Sequence, residues 1–385
     1  MTENDRPDLG EARELFAAST DFTIGLEEEF AIVDPVSLDL VDRFDDFASR
    51  AVGDEALADS VAGELIAWEV EIRSGRAESM ADALDLQRER RHRLFGLAAE
   101  LGVDLVATGT HPWANYLDQV IIDTPHYQRL KSDLGWVARR NNTWSLHVHV
   151  GIRDADRAIA VCDWLRQELP LLLAVSGNSP FLDGVDTGLA SVRTEIFTRT
   201  FPRCGVPSTF GDWQNYSDFI NLLADTGSVI ESTQLWWSVR PHHSFGTVEI
   251  RICDAQATAG ESTALAGLMV ALVAQTALDL DSGRLDGKDP LGDREIEENL
   301  WRAIRYGMDG SLIDFGKGQE VAAGRVLEEA LERTTEARES LGIEIDLPER
   351  NGAQRARDML ADGLDIPGVY REFVSAAAET YGQTV

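Results

Sequence analysis

Residues 23–32, TIGLEEEFAI, set three carboxylates, Glu27, Glu28 and Glu29, among Ile24, Leu26, Phe30 and Ile32. Successive side chains of a strand point to opposite faces, so Glu27 and Glu29 share one face and Glu28 takes the other. Two carboxylates side by side raise each other's pKa unless a cation lies between them. The stretch therefore reads as a cation-binding strand, against the plainer reading of a solvated edge strand. The arrangement recurs. In residues 64–74, ELIAWEVEIRS, Glu69, Glu71 and Arg73 alternate with Trp68, Val70 and Ile72. In residues 143–151, TWSLHVHVG, His147 and His149 alternate with Leu146, Val148 and Val150. In residues 247–252, TVEIRI, Glu249 and Arg251 alternate with Val248, Ile250 and Ile252.

If these strands join one antiparallel sheet with helices on its apolar side, the other face gathers acids, imidazoles and a guanidinium. Carboxylates suit Mg²⁺ or Mn²⁺, and of the two Mn²⁺ better accepts imidazole. Mg²⁺ takes one or two carboxylates and completes its shell with water and phosphate, which points to a nucleotide site. No GxxxxGK[ST] loop is present, and no GxGxxG follows a strand, so a P-loop ATPase and a Rossmann dehydrogenase are disfavoured. The lysines are Lys131, Lys288 and Lys317 alone, so phosphate charge must be met by metal and arginine. Two other classes compete. His-x-His with carboxylates also builds hydrolytic zinc or manganese sites, although no second histidine cluster of clear ligand spacing accompanies it. A non-catalytic acidic binding module would tolerate neutralisation of the same acids.

The elements that must carry these groups read as an α+β chain. Residues 1–20 read as an acidic arm with a helical patch at 11–18, and residues 21–385 as one catalytic domain, mainly helical from about residue 261. Between the polar strands, residues 40–51 fit a strand or a helix start. Residues 80–102, 127–137, 155–176 (broken near Pro170), 213–223 and 228–234 read as helices. Residues 103–108 read as a short buried strand that leads into a loop carrying His111. Residues 178–199 look loop-rich, and His242 and His243 fall in the loop before the last polar strand. Helices are expected over 295–306, 319–341, 354–360 and 369–381. The most apolar run, 264–280, carries Gln275 and Thr276 and is short for a membrane span, so it reads as a buried helix.

Composition narrows the partners. With 67 acidic against 35 basic residues the net charge is −32. Such a surface repels nucleic acid and anionic membrane, and neither is expected as a partner. With so few lysines, the charge points to a salt-rich cytoplasm, where self-repulsion is screened. Cys162, Cys204 and Cys253 are odd in number, far apart and without a Cys-x-x-Cys, which fits a reducing cytosol and no disulfide framework. The acidic N-terminus lacks the apolar core of a signal peptide, so the expected location is cytoplasmic.

The segments TIGLEEEF, EVEIRSG, GTHPW, LHVHVG, SPFLDGVDTGLASVRTEIF and RPHHSFGTVEIR follow one another over residues 23–254, with RYGMDG at 305–310. This ordered set resembles the carboxylate–amine ligase family, which includes the type 2 glutamate–cysteine ligases, relatives of glutamine synthetase. The resemblance implies a glutamine synthetase-like fold: a curved antiparallel sheet forming a funnel, helices on its outer face, and ATP entering one end. It also implies that ATP phosphorylates the γ-carboxylate of L-glutamate and that the amine of L-cysteine attacks the acyl phosphate. The products are then γ-glutamylcysteine, ADP and phosphate. A different amine or another carboxylate is the family alternative. Carried over by position, Glu27, Glu29, Glu71, His147 and Glu249 are expected to bind Mg²⁺, with Mn²⁺ as a substitute. Arg251 is expected to steady the transferring phosphate, with Arg240 beside it and Arg193 touching substrate or phosphate. His149, on the same face, is expected to reach phosphate. Glu69 falls outside the expected metal set, and Glu28 is expected to pair with an arginine on the apolar side. His111, His242 and His243 receive no role, and a homodimer is compatible with the resemblance.

Overall fold

A computed structural model describes residues 7–383. The elements that frame the site are, in chain order, α1 (Leu9–Ala18), β1 (Ile24–Val33), β2 (Val61–Ala62), β3 (Glu69–Arg73), α2 (Met80–Leu101), β4 (Asp104–Val106), α3 (Pro125–Leu134), β5 (Leu146–Gly151), α4 (Ala155–Leu165), α5 (Val192–Thr200), β6 (Val239–His242), β7 (Thr247–Ile250), α6 (Ala259–Asp281), α7 (Asp293–Tyr306) and α8 (Ile366–Tyr381). The strands make one open seven-stranded sheet of order β6-β7-β5-β1-β3-β2, and β4 pairs with residues 31–33 of β1. Every pairing in it is antiparallel. The expected α+β class is what the chain adopts.

Hydrophobic alternation decides which face looks outward. Ile24, Leu26, Phe30 and Ile32 of β1 are buried on one face, with Val70 and Ile72 of β3, Leu146, Val148 and Val150 of β5, and Val248 and Ile250 of β7. Burying a side chain of this size contributes about 1.5–3 kcal/mol. Turning that face to water would therefore cost far more than the strand ladder alone could offset. The helices α2, α4, α6 and α8 cover it.

Local signals set the ends of these helices. Ser79 caps α2 through a bond from Asp82 N, and Gly102 closes it at φ 70°, where a side chain would be strained. Thr258 and Glu261 form a capping box at the start of α6. Helix α6 is long and apolar enough to cross a membrane by composition, but 72% of its apolar window is buried inside the protein. It is the central helix of the layer behind the sheet, as expected for residues 264–280.

Several local expectations differ from the structure. Residues 9–18 are not an outlying arm: Leu9, Ala12 and Phe16 are buried in the main core, and Phe16 meets Trp213 edge-on. Residues 1–6 of that expectation lie outside the described residues. The stretch read as loop contains α5, capped by Ser191. Residues 319–341 begin with strand Gln319–Ala322, paired to Ser311–Asp314, before helices Ala323–Arg333 and Thr335–Leu341. A positive φ at Gly318 makes that hairpin turn possible. Residues 228–234 hold only the 3-10 turn Ser232–Gln234.

Candidate active site

Strand register, more than sequence distance, assembles the polar face. Glu27 lies opposite Arg73 on one side and His147 on the other, and Glu29 lies opposite Glu71. His149 lies opposite Glu249, and Glu249 opposite Arg240. Residues of one parity on five strands therefore share one face, and Glu27, Glu29, Arg73, His147, Arg240 and Glu249 line a cavity of about 320 Å³ there, with Glu71 and His149 on the same face outside its lining.

Two clusters have the geometry of a cation site. Glu27, His147 and Glu249 form one, and Glu29, Glu71 and His147 form the other. Within each cluster the candidate ligand atoms lie within 4.8 Å of one another. His147 is common to both. Its Nδ1 is 3.3 Å from Glu27, and its Nε2 is 3.7 Å from Glu29 and 2.8 Å from the Ser145 hydroxyl. Ser145 also donates its backbone N–H (2.5 Å) and its hydroxyl (2.7 Å) to Glu29, which fixes that carboxylate. Supporting bonds of this kind orient metal ligands.

Electrostatics divide the cavity. Burial, with Arg251 next, lowers the pKa of His147 and favours the neutral imidazole that binds metal. Burial opposes ionisation of Glu249, but Arg240 and Arg251 outweigh it and hold that carboxyl well below its usual range. Burial likewise opposes ionisation of Glu27, and His149, His147 and Arg73 outweigh it. On the other side, burial first and Glu29 next push Glu69 well above the usual range, and burial with Glu27 does the same to Glu71. Glu64, partly exposed, is pushed up to about 7 by burial and then by Glu29. The Oε2 atoms of Glu69 and Glu71 are buried with no hydrogen-bond partner among the described residues. Buried carboxylate oxygens without partners, hard oxygen donors and a neutral imidazole fit Mg²⁺ or Mn²⁺.

The arginines have distinct situations. Arg240 donates Nε to Glu249 at 2.6 Å and also bonds the Leu235 carbonyl. Arg251 pairs with the other oxygen of Glu249, while its Nε has no partner among the described residues. Arg193 lines the cavity; its Nη1 and Nη2 donate to the carbonyls of Ile252 and Arg251 at 3.0 and 3.2 Å, and its Nε has no partner among the described residues. It secures the backbone that carries Arg251. His149 is buried, its Nε2 lies 3.4 Å from Glu27 and 3.8 Å from Glu249, and it is not among the cavity-lining residues. Its Nδ1 is 3.0 Å from the Thr247 hydroxyl, and its Nε2 has no hydrogen-bond partner among the described residues.

The unassigned histidines separate in the same way. His111 is buried, donates Nε2 to the Leu38 carbonyl at 2.8 Å and accepts from Ala114 N, with its pKa lowered to about 4 by burial. His243 is buried against the Tyr216 hydroxyl at 2.7 Å, its pKa also lowered by burial to about 4. Both hold the fold. His242 lines the cavity and stacks on Phe245, ring centroids 4.3 Å apart.

Sequence reasoning omitted Glu64, Glu69, Arg73, Ser145 and Tyr127. The period-two pattern already put Glu69 and Arg73 on the polar face, and only the resemblance argued against Glu69. Tyr127 on α3 bonds the Gly63 carbonyl at 2.5 Å and brings Leu130 and Leu134 over the cavity, a long-range contact without a local signal.

The sequence model of glutamate-cysteine ligase family 2 (GCS2) matches residues 23–377. The chain belongs to this family. It is 38% identical over 347 residues to a chain of Sorangium cellulosum whose name provisionally assigns it as glutamate–cysteine ligase 2, covering 89% of each. It is 34% identical over 361 residues to the glutamate–cysteine ligase of Natronomonas pharaonis, covering 93% of this chain and 96% of that one. Among solved structures, the glutamate–cysteine ligase of Francisella tularensis, in complex with AMP, superposes with a TM-score of 0.67 at 12% identity. That match covers 95% of this chain and 90% of the other. A bifunctional glutathione synthetase from Pasteurella multocida gives 0.66 at 12% identity, over 96% of this chain and 54% of that protein. The two structures share the fold, and the expected ligase architecture is the one observed.

Proposed function

We propose that this chain is an ATP-dependent glutamate–cysteine ligase that forms γ-glutamylcysteine from L-glutamate and L-cysteine through γ-glutamyl phosphate. The observation that carries the reading is the pair of His147-sharing carboxylate clusters beside the guanidinium of Arg251. Phosphoryl transfer needs alignment and charge neutralisation more than a protein nucleophile. Glu27, Glu29, Glu71, His147 and Glu249 would hold Mg²⁺ or Mn²⁺, which when bound supplies positive charge for the triphosphate. Arg251 lines the cavity and meets negative charge there, with Arg240 fixing Glu249 at its side. Arg193 keeps Arg251 in place through its carbonyl. Helix α3 roofs the cavity and limits water that would hydrolyse an acyl phosphate.

The rival hydrolase needs both imidazoles of the His-x-His pair on one ion. Among the described residues His149 joins neither cluster, which favours the ligase. The charge of −32 and the three free cysteines support a salt-rich cytoplasm as the setting. The test is ADP release with Mg²⁺ and L-glutamate against a panel of amines. ADP formation that depends on L-cysteine and yields γ-glutamylcysteine is expected. Substrate turnover without ADP release would reject the ligase, and dependence on another amine would change the acceptor.

A further inference from the structure

We infer that Glu28 is a positioning residue that fixes the register of β1 and so decides where Glu27 and Glu29 stand. The inference rests on the cation-site reading above. On the covered face of β1, Ile24, Leu26, Phe30 and Ile32 are each 2% exposed or less, and Glu28, at 3%, is the single charge among them. A one-residue slip would turn this face into the cavity and is excluded by hydrophobicity. A two-residue slip is different. It keeps every residue on its own face, so the alternation that excludes a one-residue slip does not exclude it. Yet it would carry each carboxylate about 6.5–7 Å along the strand. In one direction Ala31 would replace Glu29 opposite Glu71; in the other Gly25 would replace Glu27 opposite His147. Either shift strips one cluster of its β1 acid.

Glu28 discriminates against both shifts, because its carboxylate fits one place only. Arg91 of α2 donates Nε and Nη2 to its two oxygens, each at 2.7 Å, and Gln87 donates at 2.8 Å. Ser262 of α6 donates to it as well, and the Tyr381 ring of α8 lies 5.2 Å from the Arg91 guanidinium carbon. Two helices thus converge on one carboxylate, and a third packs against its arginine. After a two-residue slip Leu26 or Phe30 would face Arg91, itself 5% exposed, and leave a buried guanidinium unpaired. The best-attested use of a buried polar contact is this kind of register choice.

The test replaces the pair by similar volume without charge: Glu28→Met together with Arg91→Met. Such replacements are often neutral or stabilising. Mn²⁺ binding to the whole chain is measured by electron paramagnetic resonance in molar KCl, which screens the exposed acids. Melting of the Mn²⁺-free protein is followed alongside. The expected result is an unchanged or higher melting temperature with Mn²⁺ affinity reduced about 10–100-fold, the range for groups that orient metal ligands. Wild-type Mn²⁺ affinity in the double variant would overturn the inference. Glu28→Gln, which keeps the shape and the bond from Ser262, serves if the double variant does not fold. A smaller loss of Mn²⁺ affinity in it supports the inference, whereas a lower melting temperature with undiminished affinity would reduce Glu28 to a structural role and contradict it. Failure of the wild-type chain to bind Mn²⁺ would instead remove the cation-site reading itself.

Discussion

The cavity has two halves that treat the same side chain in opposite ways. Toward β6 and β7, Glu249 is gripped by Arg240 and Arg251 and is held ionised. Toward β3, Glu69 and Glu71 are equally buried, yet the nearby cation is Arg73, whose side chain is 42% exposed, and both are pushed toward protonation. One half brings its positive charge from the chain. The other has less of it, and the cation of the proposed function would supply the difference.

The two halves should separate under mutation. Glu249→Gln and Glu71→Gln should each lower ligation about 10²–10³-fold, the scale for losing one preorganised electrostatic group. Their stabilities should diverge. Glu249→Gln leaves two buried guanidinium groups without their carboxylate and should cost the metal-free protein about 3–5 kcal/mol. Glu71→Gln removes an acid whose ionisation is opposed by burial and should raise the melting temperature at pH 7. Equal destabilisation of the two variants would erase the comparison.

Acid titration should sharpen it next. Glu27 and Glu249, with lowered pKa values, contribute stability present above the unfolded carboxylate value of about 4.3 and lost as pH falls through their folded values. Glu64, Glu69 and Glu71, with raised values, act the other way: each lowers stability as pH rises from about 4.3 through its folded value. Mg²⁺ must displace those protons. Calorimetry at pH 7 in buffers of different ionisation enthalpy should therefore show proton release on binding, decreasing toward pH 8 as Glu64 passes its value near 7. Binding heats that do not depend on the buffer would contradict the assignment of the β3 half.

The smallest effect concerns the exterior. If the charge of −32 is adapted to salt, the melting temperature should rise from dilute buffer to molar KCl. Equal values would reject that reading.

Much of this site was legible because strands carry a period of two. Alternation alone placed Glu27, Glu29, Glu71, His147, Glu249 and Arg251 on one kind of face, and the sheet then brought those faces together. Alternation could not show what lies behind a face. His149 looked equivalent to His147, but its neighbours in register are Gly25 and Glu249, and it belongs to neither of the clusters that contain His147. Arg193 lies outside the strands, and the backbone carbonyls it bonds are 58 and 59 residues away, which no local pattern encodes. Helix α1 looked like an arm because its surface is acidic, while Leu9, Ala12 and Phe16 on its other side meet partners supplied by later elements. Helix α5 was hidden among the glycines and aspartates before it, although Ser191 was an available cap.

The central claim is that His147, through one ring nitrogen, ligates a cation held among these carboxylates. Counting Mn²⁺ ions bound per folded chain, with a non-hydrolysable ATP analogue present, tests it most directly in the wild type and in His147→Ala. Tight Mn²⁺ binding in the wild type that is weakened in the variant is the predicted result. Undiminished binding in His147→Ala would contradict it.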